Sequence, residues 1–279
     1  MRMRDKGEPR SRHEPQRQGS VVSFFLLTFA LSWAVWVPMA LLEIDHPLYK
    51  LGTFGPTVAG LLLTGVVQGR RGLRALWRRL LIWRVSVFWY LFSFLSTAVA
   101  ALAAIGLHVA LGGAVPTFND PAQLYLVVPA FLYVLFTSVV GEEIGWRGYA
   151  LPRLQDRTNA LSASLFLGVV WGLWHLPLFW MAGNFHQAIP LSLFLLQITG
   201  FSVLYTWMNN NTRGSLLIPH LFHAASNTTL GVLPILPSAT GGATRPLWLA
   251  VGILWGVAAA VVAIYGPSRL SRREGRTSG

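Results

Sequence analysis

The sequence predicts an all-α protein that crosses a membrane about eight times. Hydrophobic residues make up 53% of the 279 positions and charged residues only 11%, against about 25% charged residues in ordinary soluble domains. A water-soluble fold could not bury that much apolar surface, so lipid must surround most of the chain. Eight apolar stretches are long enough to cross about 30 Å of hydrocarbon: Val21–Leu42, Leu51–Gln68, Ser86–Leu111, Leu124–Val140, Leu161–Met181, Pro190–Met208, Ser215–Leu236 and Pro246–Gly266.

The basic residues predict the orientation of these helices. An even number of spans places both termini on one side, and 20 of the 22 Lys and Arg residues fall on that side. Only Lys50 and Arg245 fall on the other. Because basic loops remain in the cytoplasm, we expect both termini to be cytoplasmic. Topology and anionic lipid headgroups then account for the net charge of +12, and no nucleic-acid partner is expected.

The same charges divide the chain into three segments. We expect a basic cytoplasmic tail over residues 1–18, a membrane-embedded domain over 19–266 and a second basic tail over 267–279. Between Arg70 and Arg84, Leu and Trp alternate with Arg at helical spacing, which predicts a helix on the cytoplasmic surface of the membrane. Twenty Arg against two Lys is typical of a GC-rich genome and favours a bacterial plasma membrane.

Two adjacent glutamates lie where the fourth predicted span meets the cytoplasm. Of the ten acidic residues, only Glu142 and Glu143 fall at a span rather than in a tail or connection. Glu143 and Arg147 are four residues apart, a spacing at which helical side chains form an ion pair. Glu142 is rotated by about 100° from Glu143 and is available to another neighbour. An ordinary interfacial ion pair is the simpler interpretation.

Two further spans carry histidines. His175 lies late in the fifth span, and the seventh span places His220, His223 and Asn227 on one helical stripe. A single intramembrane histidine is usually a packing residue, and we favour that role for His220. Unsatisfied polar groups cost several kcal/mol each in hydrocarbon, so polar groups from three helices are expected to meet one another.

Such a group of side chains could hydrolyse an amide bond in two ways. A carboxylate could act as general base on water with the help of a histidine, while a second histidine and an asparagine stabilise the oxyanion. Alternatively, Glu and His could hold a divalent metal that activates the water. Other protease classes are excluded, because the sequence has no Cys, no Asp in a predicted span, no H-E-x-x-H motif and no G-x-S-x-G elbow.

Seven residues form three ordered motifs on three apolar segments. E-E-x-x-x-R is present as Glu142, Glu143 and Arg147; the usual F-x-x-x-H is replaced by Trp171 and His175; H-x-x-x-N is present as His223 and Asn227. The set resembles the CAAX-protease and bacteriocin-processing family of membrane endopeptidases, relatives of the type II CAAX prenyl protease. The motifs cover roughly residues 140–230.

The resemblance implies an eight-helix fold around a conical cavity that opens to the cytoplasm. It implies that Glu142 activates water with the help of His175, and that His223 and Asn227 bind the oxyanion. Glu143, Arg147 and Trp171 would support those residues. We expect no cofactor, with zinc as the alternative; in that case Glu142, His175 and His223 would be its ligands. The expected partners are the lipid bilayer and a membrane-associated protein or peptide substrate.

Two questions stay open at the level of sequence. A noncatalytic immunity or scaffolding protein of the same fold is the alternative function, although the retained motif residues favour an enzyme. The depth of the site is the other question. His175 lies about 21 Å along its span at about 1.5 Å per residue, whereas Glu142 is expected near the cytoplasmic surface. A tilted helix, a late helix start or a break before Pro177 would bring them together.

Overall fold

The chain runs back and forth between the two ends of a helical bundle. The computed structural model describes residues 20–118 and 124–272, and these ranges contain no strand. The predicted tail over 1–18 and residues 273–279 of the second tail lie outside the described residues. The helices are α1 (Val21–Leu41), α2 (Gly55–Leu80), α3 (Val87–Ala110), α4 (Val127–Thr137), α5 (Leu151–Gln155), α6 (Ala160–Trp174), α7 (Leu191–Asn211), α8 (Leu217–Val232) and α9 (Arg245–Tyr265).

Hydrogen bonds between connections identify the two ends of the bundle. At the first, the basic end, the amide of Ala160 donates to the carbonyl of Ser268 at 3.0 Å. At the second, the cavity end, the indole of Trp36 donates to the carbonyl of Tyr49 at 2.7 Å. The basic end comprises residues 79–84, 155–160, 209–216 and 266–272, and the cavity end comprises 42–54, 111–117, 175–190 and 233–245.

Arginine is concentrated at one end of the bundle. All described Arg and Lys residues lie toward the basic end except Lys50, Arg245 and the interior Arg147. The two exceptions at the cavity end are each engaged with a neighbour. The ammonium of Lys50 lies 4.0 Å from the ring centre of Tyr133, and Arg245 Nε donates to His108 Nδ1 at 3.0 Å.

The predicted all-helical membrane fold is confirmed, but the count of eight spans is not. Five helices are long and apolar enough to cross a membrane, and six if the bent pair Val127–Gly141 and Ile144–Gln155 counts as one span. The helices α6 and α8 are shorter, with 15 and 16 residues. Most residues of α8 are buried inside the bundle, where a helix need not match the thickness of the lipid.

A glycine divides α2 into two arms. Gly69 has φ +59° and ψ −156°, a combination that essentially only glycine adopts. The second arm, residues 70–80, exposes Arg70 and Arg78 and buries Leu76. The amphipathic helix predicted between Arg70 and Arg84 is therefore present, and it ends at Leu80.

The fourth span differs from its prediction. Its helical path continues beyond the expected end at Val140, bends by 40° and runs on through a π-helical turn, Ile144–Ala150, to Gln155. The glycines and charges after Val140 lower local hydropathy, yet this segment stays inside the bundle. A side chain on Gly145 would approach the carbonyl oxygen of Pro56 to 2.2 Å, so only glycine permits this contact with α2.

The fifth span also ends earlier than predicted. The helix α6 stops at Trp174 instead of Met181, and His175 is its capping residue. Proline cannot continue a helix and restricts the residue before it, so Pro177 explains the break. Close packing against α7 fixes α6, since a side chain on Gly168 would lie 2.7 Å from Thr199 Cα.

Candidate active site

The four predicted catalytic residues line one cavity. Glu142, His175, His223 and Asn227 come from the fourth span, the end of α6 and α8, and all four border the same space. The helix break at His175 and the extended fourth span solve the depth problem. Glu142 lies in the middle of its span rather than at the basic end, so it can share a cavity with a residue at the cavity end.

Trp171 orients the carboxylate of Glu142. The Glu142 side chain is almost fully buried, and its Oε2 accepts a hydrogen bond from Trp171 Nε1 at 2.7 Å. The phenylalanine usual in the family motif has no donor to offer. The tryptophan in this chain therefore adds a polar contact at the motif position, besides packing its ring centre 5.5 Å from that of His223.

Glu143 holds two partners inside the bundle. Its Oε1 accepts from Arg147 Nη1 at 3.1 Å and from His223 Nδ1 at 2.8 Å. The predicted pair of Glu143 and Arg147 is present, and both residues are fully buried. The Arg147 guanidinium also lies 4.2 Å from the ring centre of Trp171 and 3.9 Å from that of Tyr205. Glu143 thus links the first motif to the third.

Hydrogen bonds at Nδ1 determine which nitrogen of His175 can react. His175 Nδ1 lies 2.8 Å from the carbonyl oxygen of Trp171. A carbonyl only accepts hydrogen bonds, so Nδ1 carries the proton and Nε2 of the neutral ring is an acceptor. In His223, Nδ1 donates to the Glu143 carboxylate. Both rings are therefore held through Nδ1, which leaves Nε2 for chemistry.

His220 and Asn227 have different environments although they share a helical stripe. His220 is absent from the cavity lining; its Nδ1 bonds the carbonyl of Leu216 and its Nε2 is buried without a partner. This environment agrees with the packing role favoured for it. Asn227 borders the cavity, is half-buried and makes no hydrogen bond within the described part of the chain. Its amide is therefore available to a ligand.

The sequence gave no indication of a further histidine at the cavity. His186 lies in the connection between α6 and α7, where no helical spacing marks it, and its ring stacks on that of His175 with centres 5.6 Å apart. Asn184 Oδ1 accepts from both the ring Nδ1 and the backbone amide of His186, at 2.6 and 3.2 Å. Burial, with a smaller contribution from His175, lowers the pKa of His186 well below 6.5.

A layer of polar contacts closes the cavity toward the basic end. Arg79 from the second arm of α2 donates to the carbonyl oxygens of Gly214, Gly148 and Arg147 and to Asn209 Oδ1, at 2.7 to 3.1 Å. Above it lies the buried pair of Arg147 and Glu143. No residue of the basic end as defined above borders the cavity.

The residues do not fit a metal centre in this arrangement. Within residues 20–118 and 124–272, no three His, Asp or Glu side chains are grouped closely enough to hold an ion. Nδ1 of His175 and His223 is bonded as in many zinc-binding histidines, but Glu142 directs Oε2 to an indole. We therefore assign no step of the chemistry to a metal.

Comparisons with known proteins agree with the motifs. The family model for Type II CAAX prenyl endopeptidase Rce1-like proteins matches residues 124–229, which contain all seven motif residues. The protein named CAAX prenyl protease 2 of Methanococcus maripaludis is 27% identical over 256 residues, which cover 86% of this chain and 92% of that protein. The chain is thus a relative of the type II CAAX prenyl endopeptidases, the group that its three motifs indicate.

Proposed function

We propose that the protein is an intramembrane endopeptidase that cleaves a membrane-associated protein or peptide with water activated by Glu142. One observation carries this proposal: Glu142, His175, His223 and Asn227, from three separate segments, border one cavity. The name of the Methanococcus relative supports a protease of the CAAX prenyl type.

The first step is the attack of water on the scissile carbonyl carbon. Glu142 takes a proton from the water as the new C–O bond forms, which leaves a tetrahedral intermediate with a negative oxygen. His175 Nε2 accepts a hydrogen bond from the same water and orients it. Trp171 restricts the Glu142 carboxylate to one position, which reduces the reorganisation that proton transfer requires.

The second step is the breakdown of this intermediate. The amide side chain of Asn227 donates to the oxyanion, and His223 donates through Nε2 when its ring carries two protons. The carboxylate of Glu143 on Nδ1 stabilises that charged ring. The C–N bond then breaks, and the protonated Glu142 gives its proton to the leaving nitrogen. Glu142 returns to its ionised form.

The experiment compares wild-type protein with Glu142→Gln, both purified in detergent. The substrates are fluorescence-quenched peptides with an apolar segment or a lipid-modified end, and mass spectrometry identifies the products. We expect cleavage by wild type and none by Glu142→Gln, because glutamine keeps the acceptor for Trp171 but cannot accept the proton. Equal cleavage by both would remove Glu142 as the base. Binding of the peptides by wild type without cleavage would favour the noncatalytic alternative.

A further inference from the structure

We propose that the cavity opens on the side of the membrane away from the cytoplasm, so that the substrate is an extracytoplasmic polypeptide. This inference deepens the proposed function and depends on it for the cleavage itself. It rests on two placements that are independent of catalysis: the end of the bundle at which the cavity opens, and the end at which the basic residues lie.

The mouth of the cavity is built from connections at the cavity end. Tyr49 and Thr53 precede α2, and the cavity wall there is completed by the connection between α6 and α7. Residues of that connection on the cavity are Leu178, Asn184, Phe185, His186 and Ile189. A polypeptide approaching from this end meets aromatic and aliphatic side chains before it reaches Glu142.

Approach from the basic end is blocked. Arg79 ties α2 to the segment 147–148, to α7 and to the connection before α8 through four hydrogen bonds. Arg147 and Glu143, both without exposed surface, fill the space between Arg79 and the cavity. Opening this route would break a buried ion pair, which costs about 3–5 kcal/mol.

The charge distribution places the blocked end in the cytoplasm. Short basic connections are retained on the cytoplasmic side during insertion, and 20 of 22 basic residues lie in the tails and connections on that side in the eight-span topology. The family resemblance implies a cavity open to the cytoplasm, which in this structure would require the end with only Lys50 and Arg245 to face inward. The charge rule and the cavity position together favour the opposite orientation.

The orientation defines the class of substrate. It is a secreted or membrane-anchored polypeptide whose scissile bond lies at or beyond the outer leaflet, with apolar residues beside that bond to match Tyr49, Phe185 and Phe194. A lipid-modified tail inserted into the cytoplasmic leaflet would meet the end closed by Arg79. Such a substrate is therefore disfavoured for this chain.

Single cysteines test the orientation, since the sequence contains none. Ala188→Cys lies at the cavity end and Ser268→Cys at the basic end; both positions are exposed, both replacements are small and neither removes a basic residue. Intact cells and permeabilised cells are treated with a sulfonated, membrane-impermeant maleimide. We expect Ala188→Cys to react in intact cells and Ser268→Cys to react only after permeabilisation. The reverse pattern, or labelling of both in intact cells, would overturn the proposal.

A second pair guards against a local fault in either variant. Gln187→Cys and Pro267→Cys occupy neighbouring exposed positions at the same two ends, and each should reproduce the pattern of its neighbour. Labelling requires no proteolysis, so the orientation and the proposed function fail separately. The expected labelling without any peptide cleavage would refute the endopeptidase alone, and cleavage with the reverse labelling would refute the orientation alone.

Discussion

Trp171 Nε1 donates a hydrogen bond to Glu142 Oε2 at 2.7 Å, and this bond joins the second motif to the first. Bonds to charged acceptors contribute about 1.5–3 kcal/mol, which corresponds to about 10- to 100-fold in rate. We expect Trp171→Phe to lower kcat by an amount in this range, with little change in the melting temperature. Trp180→Phe, at an exposed position off the cavity, is the matched control. Unchanged turnover in Trp171→Phe would show that the indole does not position the base.

Replacement of Glu143 is expected to damage stability more than replacement of Glu142. Glu143→Gln leaves Arg147 and His223 without a charged acceptor in a fully buried site, and breaking a buried pair costs about 3–5 kcal/mol. Glu142→Gln keeps its acceptor for Trp171 and should unfold near the wild-type temperature. Thermal unfolding in detergent compares the two variants. Equal melting temperatures with turnover lost in both would contradict this division between a structural and a catalytic carboxylate.

His186 is expected to make stability depend on pH. Its folded-state pKa is well below 6.5, whereas the unfolded chain binds a proton near 6.5. Below pH 6.5 the unfolded state therefore gains a proton that the folded state does not, and stability falls by up to about 1.4 kcal/mol per pH unit. In His186→Phe, whose new ring suits the surrounding Phe179, Phe185 and Phe194, this loss is absent. Melting temperatures of both proteins at pH 5, 6 and 7 measure it, and parallel decreases would refute the assignment.

Metal removal should leave activity intact. We expect purified, active protein to contain well under one equivalent of metal and to keep its turnover in EDTA or phenanthroline. The reason is geometric, because Glu142 Oε2 is bound to Trp171 and no three-ligand group exists in the described ranges. Stoichiometric zinc, with activity lost on stripping and restored by zinc, would show that Glu142, His175 and His223 rearrange into ligands. Glu143 would then be the candidate base.

The residues that meet at the cavity were predictable from the sequence because each lies in a spaced motif on an apolar segment. The pair of Glu143 and Arg147 follows from helical spacing, and the structure has it. The bond between Glu143 and His223 was not predictable, since it joins residues 80 positions apart and depends on how α8 packs against the fourth span. His186 was missed for a related reason: its connection has no periodic pattern.

The errors in the predicted spans have a common physical cause. Hydropathy measures the average environment of a window, so it failed where polar residues are buried within the protein. The segment 144–155 carries glycines and arginines yet continues the fourth span, because its charges pair with one another and its glycines contact α2. At His175 the apolar sequence continues beyond the helix, and there Pro177 rather than hydropathy sets the end of α6.

The four hydrogen bonds of Arg79 connect the site to the thickness of the bilayer. The arm of α2 that carries Arg79 alternates basic and apolar residues, the pattern of a helix that rests at the boundary between headgroups and acyl chains. Its height follows the lipid, and hydrophobic mismatch costs fractions of a kcal/mol per Å. Arg79 transmits any such displacement to the carbonyls of Arg147 and Gly148, one turn from Glu143. Turnover is therefore tied to the acyl-chain length of the surrounding lipid as well as to the substrate.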